Sequence, residues 1–230
     1  MKKLIKFLCV TLVFCIASYA KCAELIDVKG VAEAQNRINK IGFNILNSNG
    51  IEHRAVFDFD ISKTKNASTR YYDRQITIYR GLYNRLESDD EVAAVLSHEI
   101  SHSVDSYDGI FSGFFSGWSY AFSPKKYEYK ADKRGVDYMV NAGYNPVAMI
   151  VVLNKSFPQP RYDWCTSHPL ISKRMMEVYE YIYKKYPEYL ANNAYKNNVY
   201  YQNFLLTSKE NREKFRKKIE TKSNRHVLYQ

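Results

Sequence analysis

Residues 88–102 read SDDEVAAVLSHEISH, and this stretch contains both a helix start and a histidine pair. Ser88 and Glu91 have the spacing of a capping box, which predicts that a helix begins directly after Ser88. His98 and His102 are four residues apart, which is about one helical turn, so both imidazoles project from the same side. The pattern therefore predicts a helix whose two histidines can share one metal ion.

The same helix has an apolar face. Val92, Leu96 and Ile100 form a stripe opposite His98, so the helix can be buried while its histidines face a cleft. Zinc accepts neutral imidazole nitrogens, and a catalytic site keeps one position for water, so a third protein ligand is needed. Glu99 is placed to act on that water as general base and then to protonate the departing amine. The alternative is a chance HExxH match, in which the histidines are ordinary surface or capping residues.

The best candidate for the third ligand is Glu128, in the segment EYKAD. Asp132 lies one turn further on, and a carboxylate at that spacing can accept the outer N–H of a zinc-bound histidine, which fixes the tautomer of the ring. The alternative is that both acids face solvent among Lys126, Lys130 and Lys133, a common arrangement on helix surfaces. The histidine pair upstream favours the metal-binding interpretation.

Four motifs in a fixed order make the pattern more specific. HEISH and EYKAD are followed by AGYNP and by SHP with Arg174, and this set resembles the HtpX-like zinc metallopeptidases related to the CAAX prenyl proteases. The resemblance extends over about residues 29–183 and implies an α+β fold, a mainly helical zincin with a small sheet beside the active-site helix. It implies one Zn²⁺ per chain, with metal ligands His98, His102 and Glu128, general base Glu99, and Asp132 as the partner of a ligand histidine.

His168 and Arg174 match a later histidine-proline pair and an arginine of that family. The resemblance implies that a cation or N–H donor at these positions stabilises the oxyanion formed when water attacks a peptide carbonyl. Two alternatives for His168 stay open. It either precedes the helix that begins at Pro169 and has no catalytic role, or it occupies the open position of the zinc and keeps the enzyme latent.

Two segments upstream of the histidine helix are rich in strand formers. Residues 55–61 read AVFDFDI and residues 75–79 read QITIY, which predicts a small antiparallel sheet with one buried face. Asn66 and Ala67 resemble the asparagine-alanine pair before the family's edge strand, whose backbone binds extended substrates by strand addition. The sequence departs from the family at residues 71–75, where YYDRQ replaces a glycine-rich turn, so the substrate register stays open.

Helical periodicity predicts further packing helices around this centre. They are residues 30–46, residues 126–142, a helix that begins at Pro146 and one that follows Pro169. Residues 110–122 are rich in glycine, serine and aromatic side chains, which predicts either a substrate-contacting flap or a loop whose aromatics fill the core.

The N-terminus has the composition of a secretory signal. Lys2, Lys3 and Lys6 precede an apolar run that ends near Ala20. The run has roughly 14 residues, below the ~20 that cross a bilayer, so we expect cleavage after residue 20 or 23 rather than an uncleaved anchor. The expected organisation is a signal peptide (1–20), a zinc metallopeptidase domain (24–204) and a basic tail (205–230), in a periplasmic or secreted protein.

The formal net charge is +10, and much of the excess lies near the end of the chain. Residues 209–225 read KENREKFRKKIETKSNR, which we interpret as a solvated charged face, while peripheral membrane contact through this tail or through residues 110–122 stays open. Export and the lack of a nucleic-acid motif argue against a nucleic-acid partner. The expected function is hydrolysis of polypeptides, and the resemblance implies misfolded or unassembled envelope proteins. The alternatives are a non-catalytic chaperone-like module and an envelope assembly factor on the same scaffold.

Overall fold

Helices dominate the computed structural model, which describes residues 28–70, 73–105, 124–157, 170–223 and 226–229. The α+β class predicted from the sequence is confirmed, whereas the signal segment, residues 110–122 and His168 lie outside the described residues. The strands are β1 (Val56–Asp60), β2 (Ala67–Arg70) and β3 (Gln75–Tyr79). The helices are α1 (Val28–Ser48), α2 (Arg80–Tyr83), α3 (Asp89–Asp105), α4 (Pro124–Asn141), α5 (Val147–Ser156), α6 (Ile171–Lys185), α7 (Glu188–Ala191), α8 (Val199–Thr207) and α9 (Lys209–Glu220).

Helix α3 begins where the capping box predicts. The backbone N–H of Glu91 donates to the hydroxyl of Ser88 at 3.2 Å, and the Glu91 carboxylate accepts from the backbone N–H of Glu87 at 2.8 Å. The apolar stripe predicted for this helix, which includes Leu96, has no exposed surface. It packs against α1, α4 and α5, so the helix that bears the histidine pair is held on several sides.

The sheet differs from the antiparallel pair predicted from the sequence. Its order is β1-β3-β2, with β1 parallel to β3 and β2 antiparallel to β3. The two predicted segments are neighbours, but β2 lies between them in the chain and forms a hairpin with β3. The chain therefore enters β3 in the same direction as β1, and the antiparallel prediction for this pair was wrong. The segment ASTR of β2 is short and polar, so propensity alone does not reveal it.

The two outer strands of the sheet have different surroundings. Gln35 of α1 donates to the backbone oxygen of Phe57 at 2.8 Å and accepts from the backbone N–H of Phe59 at 2.9 Å. These bonds satisfy outward-facing groups of β1, so a helix side chain occupies that edge. Among the described residues, no strand pairs with the outer side of β2. Strand β2 is therefore an edge strand of the described sheet.

The C-terminal helices pack against the rest of the molecule. Phe215 of α9 is buried and meets the rings of Tyr179 and Tyr183 of α6 at centroid distances of 6.4 and 5.3 Å. The boundary expected between the domain and the basic tail, at residues 204 and 205, falls within α8. The first part of the basic segment is helical and docked on α6. In the part of the chain that the structure describes, we find no helix with the length and apolar character needed to span a membrane.

A carboxylate on α6 ties this C-terminal part to the core and makes its stability depend on pH. Burial raises the pKa of Glu180, but hydrogen bonds from Lys184, Tyr229 and Lys218 outweigh it and lower the pKa from 4.5 to about 2. A lowered carboxyl pKa stabilises the folded state above pH 4.5, and that contribution is lost as the pH falls toward 2.

We expect urea unfolding to show this loss in the wild type and a flatter pH dependence in Glu180→Gln. The exposed Glu210→Gln is the control, and equal pH profiles for the two variants would contradict the assignment.

Candidate metal centre

The three predicted metal ligands meet between α3 and α4. The Nε2 atoms of His98 and His102 are 3.1 Å apart. The carboxylate of Glu128 lies 3.7 Å from Nε2 of His98 and 3.3 Å from Nε2 of His102. Among the described residues this trio can hold a metal ion, because one ligand atom from each lies within 4.8 Å of the others. Two residues from one helical turn and one from a later helix therefore form a single cluster.

The chemistry of the cluster fits a cation. Asp132 lies 2.9 Å from Nδ1 of His98, so Nδ1 is the protonated nitrogen and Nε2 presents a lone pair to the cluster. That lone pair faces His102 and a buried carboxylate, and a metal cation between them would compensate this concentration of electron pairs. Tetrahedral Zn²⁺ with bonds of 2.0–2.1 Å would hold two nitrogens about 3.3 Å apart, close to the spacing found here. The donor set of two imidazoles and one carboxylate fits a metal ion of this type.

Burial decides between the two interpretations of the acids on α4. Glu128 is 2% exposed and Asp132 is 0% exposed, so neither faces solvent among the neighbouring lysines. The surface alternative is therefore wrong for both residues. Burial opposes the charged form of Asp132, but Arg174 and His98 outweigh this and lower its pKa. Burial likewise opposes protonation of His98, but the hydrogen bond and charge of Asp132 outweigh it and raise the pKa of His98.

Arg174 projects from α6 behind the cluster. Its Nε and Nη2 donate to the two carboxylate oxygens of Asp132 at 2.8 and 2.6 Å, and its Nη1 lies 3.0 Å from Glu128. Burial disfavours the charged guanidinium, but these two carboxylates outweigh it and raise the pKa of Arg174. The resemblance to the metallopeptidase family predicts this arginine as a residue behind the metal ligands and as a donor to the oxyanion. In the structure its hydrogen bonds go to buried carboxylates, one of them a candidate ligand.

Glu99 follows His98 on α3 and contacts the edge strand. The hydroxyl of Thr69, on β2, lies 2.7 Å from Oε2 of Glu99 and 3.0 Å from the backbone oxygen of the same residue. Thr69 could not be identified from the sequence, because a threonine in a short polar segment belongs to no motif. The only signal nearby is the pair Asn66 and Ala67, which points to the strand but not to this side chain.

A glycine allows α3 and α4 to approach closely at the cluster. A Cβ on Gly135 would lie 3.3 Å from the backbone nitrogen of His98 and 3.0 Å from Cε of Met149. A larger side chain would push α4 away from the helix that presents the histidines. Sequence analysis missed this role as well, although a glycine one turn after Ala131 inside a helical pattern is a usable signal.

Comparison with known proteins supports the same centre. The family model described as "Peptidase family M48" matches residues 32–117 and 109–182, which together span more than half of the chain. The first matched part includes the histidine pair and Glu99, and the second includes Glu128, Asp132 and Arg174. No curated protein matches the chain.

Proposed function

The chain belongs to peptidase family M48 and is a metallopeptidase, and from this premise we propose that it is a zinc-dependent endopeptidase. The observation that carries the proposal is the convergence of His98, His102 and Glu128 on one point, with Glu99 as the residue that follows the first of these ligands on α3. Two nitrogens and one oxygen favour Zn²⁺ over Mg²⁺ and Ca²⁺, which prefer oxygen ligands. When bound, the ion supplies a Lewis acid that polarises the peptide carbonyl and makes water more acidic.

The side chains around the centre carry out the proton transfers of the proposed reaction and orient the metal ligands. Glu99 accepts a proton from the attacking water while the water oxygen bonds to the carbonyl carbon of the peptide. As the bond between that carbon and the nitrogen breaks, Glu99 returns the proton to the departing amine. Asp132 holds the proton on Nδ1 of His98, so that Nε2 stays available for the ion.

The outer edge of β2 is the proposed binding surface for an extended substrate. The backbone N–H of Tyr79 donates to the backbone oxygen of Asn66 at 3.2 Å, so the backbone oxygen of Asn66 points toward β3. Backbone groups alternate along an antiparallel strand, which directs those of Ala67 and Thr69 outward. An added peptide strand would pair with these two residues beside Glu99. Main-chain pairing recognises an extended conformation, which suits unfolded polypeptides as substrates.

The proposed location is the periplasm or the extracellular space. Support comes from Lys2, Lys3 and Lys6 ahead of the apolar run of residues 7–20, which has the composition of a cleaved secretory signal. Misfolded or unassembled envelope proteins are the proposed substrates in that setting, because they expose extended segments.

The proposal is tested by removing and restoring the metal. The purified full chain is expected to carry one zinc per chain by elemental analysis and to digest casein. A chelator followed by buffer exchange should abolish digestion, and addition of Zn²⁺ should restore it, whereas Mg²⁺ should not. Casein digestion that persists in metal-free protein would contradict the proposal.

A further inference from the structure

The edge strand and the proposed general base are joined by one side chain. Thr69 has a single hydroxyl proton and two acceptors on Glu99, the carboxylate oxygen Oε2 at 2.7 Å and the backbone oxygen at 3.0 Å. The shorter contact is with the charged group, and hydrogen bonds to an ionised acceptor are stronger than neutral ones. The carboxylate is therefore held by an element outside its own helix.

The register of the sheet directs Thr69 to this place. Thr69 pairs with Ile76 and Ala67 pairs with Ile78, and both isoleucines are fully buried. Since side chains alternate along a strand, Ala67 and Thr69 face inward toward α3, whereas Ser68 faces the other way. The hydroxyl of Ser68 lies 3.4 Å from that of Tyr79 on this second face.

A second group acts on the same carboxylate. The positive charge of Arg174, which lies behind the cluster, interacts with Glu99. Glutamate has three side-chain torsions, so an untethered carboxylate can adopt several orientations. The bond from Thr69 selects one of them, and no residue that the structure describes donates a hydrogen bond to Oε1, which is left to accept a proton.

We propose that Thr69 is a positioning residue, which holds Oε2 of Glu99 so that Oε1 faces the attacking water. The inference rests on the proposed peptidase function. The backbone N–H and C=O groups of Thr69 also point to the outer edge of β2, where the substrate would pair. One residue therefore sets the position of the substrate relative to the base. General-base catalysis requires hydrogen-bond distance to the proton that is removed, so the loss of this tether acts on the chemical step.

The test compares Thr69→Val, Thr69→Ser and Ser68→Ala with the wild type on one peptide substrate. Valine keeps the shape and strand preference of threonine but removes the donor, and serine keeps the donor. We expect Thr69→Val to lower kcat by about tenfold to a hundredfold with little change in KM. Thr69→Ser should stay within about threefold of the wild-type kcat, since only rotamer freedom is added. Ser68→Ala, on the opposite face, should behave as the wild type.

Two further measurements separate positioning from folding. Zinc content by elemental analysis and the thermal midpoint of the metal-free protein are expected to be similar in all four proteins. If Thr69→Val does not fold, Thr69→Ala removes the same donor and replaces it in the comparison. An effect confined to KM, or an equal fall in Thr69→Ser, would overturn the positioning role.

The result also distinguishes this inference from the function on which it rests. A wild type that digests peptides, a Glu99→Gln variant that does not, and a Thr69→Val kcat within about twofold of the wild type would overturn the inference alone. A wild type and a Glu99→Gln variant with equal activity would overturn the proposed function whatever Thr69 does.

Discussion

Replacement of Glu99 by glutamine is expected to lower kcat by about a thousandfold while the protein keeps its fold and its metal. Glutamine has nearly the same shape, and its amide oxygen can still accept the hydrogen bond from Thr69. It cannot accept a proton from water near neutral pH, so the variant lacks the proposed base. The measurement is steady-state hydrolysis of a peptide substrate, with zinc content determined on the same samples.

The matched control for this variant is Glu87→Gln. Glu87 lies just before α3 and its side chain is 72% exposed, so the same chemical change there leaves the cluster untouched. We expect the control to retain the wild-type kcat. Equal casein digestion by Glu99→Gln and the wild type would remove Glu99 from the mechanism.

Local signals were sufficient to predict much of the candidate site. The capping box placed the start of α3, and helical spacing put His98 and His102 on one side of it. Glu128 and Asp132 also lie one turn apart, but their assignment to the same centre came from the resemblance to the metallopeptidase family. The capping box and the histidine spacing involve residues within about one or two helical turns, where the geometry of the helix follows directly from the sequence.

Contacts between distant segments could not be predicted in the same way. The parallel pairing of β1 with β3 depends on β2, whose four residues have little strand preference. The bond from Thr69 to Glu99 joins residues 30 positions apart. The close approach at Gly135 depends on how α4 packs on α3. These features arise from tertiary packing, and of the three only the close approach at Gly135 leaves a sequence signal, a glycine inside a helical pattern.

Arg174 was predicted at the site. Its contacts in the structure indicate that its loss also lowers the stability of the fold, an effect that the loss of an oxyanion donor would not have. Its guanidinium compensates the buried carboxylates of Glu128 and Asp132, and its side chain is only 8% exposed. Arg174→Leu keeps apolar bulk in the space and removes the charge. We expect a loss of about 3–5 kcal/mol in the free energy of unfolding of the metal-free protein, because two buried negative charges are left without a cation.

The metal state of the protein separates this explanation from a loss of packing. Zn²⁺ at the proposed site would bring positive charge to the same carboxylates, so the zinc-loaded Arg174→Leu variant should recover part of the lost stability. A packing defect would be equally severe with and without the ion. The control is Arg216→Leu on the exposed side of α9, where loss of a surface ion pair should cost about 1 kcal/mol or less. Urea unfolding of both variants with and without zinc therefore tests whether charge compensation is the structural role of Arg174.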